Sequence, residues 1–176
     1  MVTRIFGNDP VISIDIESSK IDRMKKELIN IDQKVRRRLS RDLRSDLQPI
    51  AQDINKAVPG KAPLSGMTPR WGRTNYNIRT FPKGRPGRAI ATIDIAGDSA
   101  PMNKLLAITE RAGSRSRGFT PTGKSMINSL NERYPMSGSG GRFVWKAWMK
   151  FRPRATGTAI GILQRFIDET NRQVKP

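Results

Sequence analysis

The chain has 176 residues, 36% of them hydrophobic, with 33 Lys and Arg against 15 Asp and Glu, and it contains neither cysteine nor histidine. That length suits one domain with its own core, while the two missing residue types exclude a disulfide framework, a thiolate metal site and any chemistry that needs an imidazole. A net charge of +18 calls for an anionic partner and says nothing about fold.

The excess is local, since residues 58–154 hold 18 basic side chains against 4 acidic ones. The N-terminus MVTRIFGNDPVISIDI has no charged leader followed by a long apolar run, so export by a signal peptide is not expected. No stretch approaches the roughly 20 apolar residues of a membrane helix, and no membrane partner is expected.

VISIDIES, residues 11–18, alternates Ile12, Ile14 and Ile16 against Val11, Ser13, Asp15 and Glu17. Period two with isoleucines on one side predicts a half-buried strand, in an N-terminal arm of residues 1–18. From Ser19 the period lengthens. Ile21, Met24, Leu28, Ile31, Val35, Leu39, Leu43, Leu47, Ile50 or Ala51, Ile54 and Val58 recur every three or four residues. They predict one long amphipathic helix over 19–58, capped by Ser18 or Ser19. Pro49 lacks a backbone donor and crowds the turn before it, so a bend or break is expected there. VRRRLSRDLRSD within this helix reads as a solvated face, because Asp42 and Asp46 interrupt the charge and the leucines keep the stripe.

Residues 58–74, VPGKAPLSGMTPRWGRT, form a connector dense in Pro and Gly. TNYNIRTF and AIATIDIAG, residues 74–81 and 89–97, read as two strands joined by PKGRPGR, a hairpin with a positive tip. MNKLLAITERAG predicts a short helix ending at Gly113, SRSRGFTP a basic loop, and TGKSMINSLNERY a second short helix. A Ser/Gly hinge, Ser137 to Gly141, leads to Phe143, Trp145, Trp148 and Phe151, whose spacing leaves strand and helix both open. The last helix is expected from Pro153 to Val174, with proline in its first turn. The sum is a single α+β domain over 1–176: a long N-terminal helix, a small antiparallel sheet and short helices over 59–152, and a C-terminal helix over 153–174.

GFTPTGKS, Gly118 to Ser125, matches the phosphate-loop pattern, in which Lys124 would hold phosphate and Ser125 a magnesium ion. That loop needs a buried strand directly before it, and the preceding ERAGSRSR is polar and basic. The four acidic residues of the middle segment, Asp94, Asp98, Glu110 and Glu132, are too scattered to nominate a catalytic pair. No enzyme, cofactor or metal is expected.

L-S-G-M (Leu64 to Met67), W-G-R-T (Trp71 to Thr74), E-R-A-G (Glu110 to Gly113), L-N-E-R-Y-P (Leu130 to Pro135) and G-G-R-F-V-W-K-A-W before a closing helix form an ordered series. With the long helix and basic hairpin, over roughly residues 19–174, this series resembles the small neck or tail-completion proteins of tailed bacteriophages. The resemblance implies a structural virion protein, made in the bacterial cytoplasm and built as a homo-oligomeric ring, a hexamer by that likeness. Such a ring joins the DNA-filled head to the tail around the DNA exit channel, between portal-side proteins and the tail tube. Completion protein, tail terminator and head-closure protein are all compatible with it. The VISIDIES strand and the strong positive charge depart from the usual pattern.

Phe143, Trp145, Trp148 and Phe151 are candidates for a subunit interface, with core packing and base stacking as alternatives. Arg79, Lys83, Arg85, Arg88, Arg115, Arg117 and Lys124 are candidates for contact with DNA phosphates or with acidic partner surfaces. The rival readings of the whole chain are a small basic nucleic-acid-binding protein without catalysis and, more remotely, a nucleotide-binding protein using Gly118 to Ser125.

Overall fold

Ile12, Ile14 and Ile16 are all but completely buried in the computed structural model, which describes residues 2–6, 9–27, 33–59, 74–81, 89–112, 118–136 and 141–174. They belong to β2 (Asp9–Glu17), an inner strand of a four-stranded sheet. The others are β1 (Val2–Phe6), β3 (Asn75–Thr80) and β4 (Ala89–Ala96), in the spatial order β1-β2-β4-β3 with every neighbouring pair antiparallel. The hairpin of β3 and β4 is as the alternation predicts. The N-terminal strand is more than an arm, because it pairs with β4 about eighty positions away and carries β1 on its other side.

The register separates two faces. Ile12, Ile14 and Ile16 stand opposite Ile95, Ile93 and Ala91, and Ile78 stands opposite Ile93, so one face is a field of branched apolar side chains. The other face is polar at the same depth. Ser13 and Asp94 are directly opposite and joined by a 2.6 Å hydrogen bond from the Ser13 hydroxyl, while the Thr92 hydroxyl donates to Asp15 at 2.9 Å.

Helix α1 (Ser19–Glu27) starts where the Ser18 hydroxyl accepts the Ile21 N–H, the cap anticipated from the sequence. Helix α2 (Gln33–Lys56) continues the same apolar period; residues 28–32, in the middle of the single helix expected over 19–58, lie outside the described residues. Pro49 sits inside α2, and the helix is not broken there. An internal proline costs a helix about 3 kcal/mol. Here Leu43, Leu47, Ile50, Ala51 and Ile54 are fully buried on both sides of it, and Pro49 itself is exposed, so packing holds the turn that propensity would open.

Helices α3 (Ala100–Arg111) and α4 (Pro121–Arg133) follow the hairpin, and α5 (Val144–Val174) closes the chain. α2 lies against α5 and β3, and α5 also meets β2. Leu39, Leu43 and Leu47 of α2 share one core with Ala155, Ala159, Ile162, Leu163 and Phe166 of α5 and with the sheet isoleucines. Arg38 and Arg165 tie the rims of the two helices to Glu169 and Asp46 at 3.2 and 3.5 Å, exposed pairs worth little beyond register. Arg38 also lies 5.4 Å from the Phe166 ring centre and Arg36 5.0 Å from that of Phe81. Among the described residues no helix is long and apolar enough to cross a membrane.

The start of α5 differs from expectation. The helix begins at Val144, nine residues before Pro153, and Pro153 lies in its second half-dozen residues rather than its first turn. The reason is a cap supplied from outside the helix.

Candidate functional site

The first amides of a helix have no partner within it and must find one elsewhere when buried. At the start of α5 that partner is Glu110, near the end of α3. One carboxylate oxygen accepts the Phe143 N–H at 2.9 Å and the Val144 N–H at 3.3 Å, and the other accepts the Trp145 N–H at 2.9 Å. Glu110 is 0% exposed. Burial pushes its carboxyl above the ordinary glutamate value, and the hydrogen bonds from Trp145, Phe143 and Val144 only partly counter this.

Next to this cap, Arg142 is 2% exposed and binds three acceptors. Its guanidinium donates to the Tyr134 carbonyl, to the Ala112 carbonyl at 2.6 Å and to Asn131 Oδ1 at 2.8 Å. Burial lowers the Arg142 pKa, and the nearby Glu110 charge opposes that shift. The rings of Tyr134 and Phe143 meet edge to face with centroids 4.9 Å apart. The ends of α3 and α4 and the start of α5 are thereby fastened at one buried polar point.

Gly141 explains why a glycine precedes Arg142. A Cβ there would collide with Glu110 Oε1 and lie 2.8 Å from its Cδ, and Glu110, fully buried, could retreat only by giving up its bonds to the Phe143, Val144 and Trp145 amides. Gly141→Ala is expected to lower stability by about 1–3 kcal/mol, the usual range for forcing a methyl into a packed interior. Urea denaturation checks this, with Gly157→Ala, where a Cβ meets open space, as the neutral control.

The four aromatic candidates divide. Phe143 and Trp148 are each 4% exposed within the single chain, so they fill its interior and present no surface to a neighbour or a base. Trp145 and Phe151 are half-buried and pack against the same core with one side left open. Their helical setting answers the question the spacing left open.

The basic candidates divide as well. Lys83, Arg85, Arg88, Arg115 and Arg117 lie outside the described residues. Arg79 is committed to Asp94, which accepts from its Nε and, at 2.9 Å, from Nη2, so the guanidinium closes the polar face of the sheet. Lys124 is exposed in the first turn of α4. The phosphate-loop pattern around it has local causes. Gly118 adopts φ +89°, where a Cβ would also lie 2.8 Å from the Gly123 and Lys124 backbone, and Thr120 caps α4 by accepting the Gly123 N–H at 3.1 Å. The last described element before it is helix α3, and the sheet is antiparallel, unlike the parallel sheet in which such loops sit.

Among the described residues no cluster of carboxylates could hold a metal ion. Two features escaped the sequence reading. Glu110 and Arg142 are not distinguished in composition or spacing from other charged residues; only the lack of a Ser, Thr, Asp or Asn directly before Val144 hinted that a cap must come from elsewhere. The second is a groove of about 380 Å³ between α2 and β3, lined by Arg44, Gln48, Tyr76, Asn77, Ile78 and Arg79. No family model, curated protein or solved structure is matched by this chain.

Proposed function

We propose that the chain is a non-enzymatic virion protein of a tailed bacteriophage, a ring-forming subunit of the neck that joins the DNA-filled head to the tail. One observation supports this reading above the others. The three segments E-R-A-G, L-N-E-R-Y-P and G-G-R-F-V-W-K-A-W, which carry much of the resemblance to neck and tail-completion proteins, supply the Glu110, Ala112, Asn131, Tyr134, Arg142 and Phe143 groups of a single buried joint. In this chain the three segments therefore meet in one structural unit, which supports reading them together as one pattern.

Exposed apolar side chains fit a subunit whose surface is covered on assembly: Phe119 is 94% exposed and Ile108 59%. Head-to-tail contacts between copies generate a closed ring when the rotation closes. The positive charge suits a place beside DNA or acidic neighbours, without base reading. The test is mass spectrometry of purified virions together with electron microscopy of particles made without the gene. The expected result is the chain in virions and, without it, filled heads separated from finished tails. A chain missing from particles that assemble normally would overturn the proposal.

A further inference from the structure

β3 is an edge strand, and among the described residues it pairs only with β4. The Phe81 N–H donates to the Ile90 carbonyl, which makes Phe81 and Ile90 a hydrogen-bonded pair; the register then makes Arg79, Asn77 and Asn75 the residues whose backbone groups face β4. The N–H and C=O groups of Tyr76, Ile78 and Thr80 consequently point away from the sheet, and no described residue meets them. An open row of this kind is a template for another strand.

The groove runs along this row. Arg44 and Gln48 of α2 form its opposite wall, and both are exposed. Arg41 and Arg37 continue the same helical stripe, one and two turns before Arg44, and both are exposed. Among the described residues none of Arg37, Arg41 and Arg44 has a carboxylate partner, in contrast to Arg38, Arg79 and Arg165. Read as a solvated face in the sequence, this charge borders an unfilled backbone ladder.

We propose that the β3 edge is a docking site for an extended, acidic peptide segment of a partner protein, which adds a fifth strand beside Tyr76, Ile78 and Thr80 and places carboxylates against Arg44 and Arg41. Backbone groups select a peptide over a nucleic acid, because a phosphate chain offers no alternating donors and acceptors to the ladder. The charge selects an acidic chain and disfavours a second copy of this one, whose two edge strands among the described residues, β1 and β3, carry Arg4 and Arg79 and no acidic residue. The site stands whether or not the chain belongs to a phage neck.

The experiment uses the full chain and a dye-labelled peptide of alternating Glu and Val, with a Lys and Val counterpart and a short DNA duplex as comparisons. The acidic peptide is expected to bind and to slow amide exchange at Tyr76, Ile78 and Thr80. Thr80→Pro removes one outward N–H and leaves the bonds to β4, so it should weaken binding about tenfold with little change in melting temperature. Arg41→Glu with Arg44→Glu should weaken it at least as much and steepen no unfolding transition. Should the proline variant unfold, the charge-reversed variant decides alone. Absence of binding, binding that leaves those three amides unprotected, equal binding of the Lys peptide, stronger binding of the duplex, or protection of the same amides by self-association would each overturn the site.

Discussion

Glu110→Ala is expected to be the most damaging single substitution in the molecule. It removes the acceptor for the Phe143, Val144 and Trp145 amides and leaves a cavity at a position with no exposure. A buried donor without a partner costs about 1–3 kcal/mol, and partial relaxation of the helix end recovers some of the three, so a loss of about 4 kcal/mol is expected. Urea denaturation followed by circular dichroism measures it. Glu110→Gln should cost less, since one acceptor oxygen remains, though its amide would face one of the donors.

The pair of wild type and Glu110→Gln also gives a pH test. Burial raises the folded pKa of Glu110 above the usual 4.5, so the folded state holds this proton more tightly than the unfolded chain does. The contribution of the carboxyl is then complete below pH 4.5 and is lost as pH rises through the folded value. The margin of wild type over the glutamine variant, which does not titrate, should be widest below pH 4.5 and narrow toward neutral pH. A margin that widens instead would mean that the three amide bonds to the charged form outweigh desolvation.

How far the sequence announced this structure depends on the range of the interaction. Period alone marked α2 correctly: of its stripe, Leu39, Leu43, Leu47, Ile50, Ala51 and Ile54 are all buried, and Val35 is partly so. The same holds for the isoleucines of β2 and for the β3 and β4 hairpin, because neighbours in sequence set those patterns. Where local rules met a distant partner they failed. The pattern predicts a bend or break at Pro49 and a helix start at Pro153, yet α2 continues through Pro49 between buried Leu43 and Leu47 on one side and Ile50 and Ile54 on the other, and Pro153 lies downstream of a start fixed by Glu110. β1 went unnoticed because five residues with one short apolar alternation give little signal until β2 offers an edge. The site residues show the same division. That aromatics beside basic residues pack somewhere was legible; that Phe143 and Trp148 face inward while Arg44 lines a groove depends on the meeting of α2, β3 and α5, which no window of sequence contains.

Arg142→Leu carries the second large expected effect, and it should act on one part of the fold. Ile127 and Leu130 are the buried residues of α4, so that helix has little apolar surface to hold it down. Its C-terminal end is fastened instead by Arg142, through Asn131 Oδ1 and the Tyr134 carbonyl, and by the Tyr134 ring on Phe143. Leucine fills much of the volume and leaves these acceptors and the Ala112 carbonyl without a donor, at a cost of about 3 kcal/mol. Lysine keeps the charge but has a single ammonium where three acceptors need a planar fork, so Arg142→Lys should rescue only a minor share. Hydrogen exchange should then rise throughout α4 and at the first turn of α5, while β2 and β4, which draw their stability from the isoleucine face, keep their protection. A cycle combining Arg142→Leu with Glu110→Gln should show coupling of about 0.5–3 kcal/mol, since both side chains serve one joint. Independent, additive losses would instead mean that the α4 clasp and the α5 cap are separate devices that happen to be adjacent.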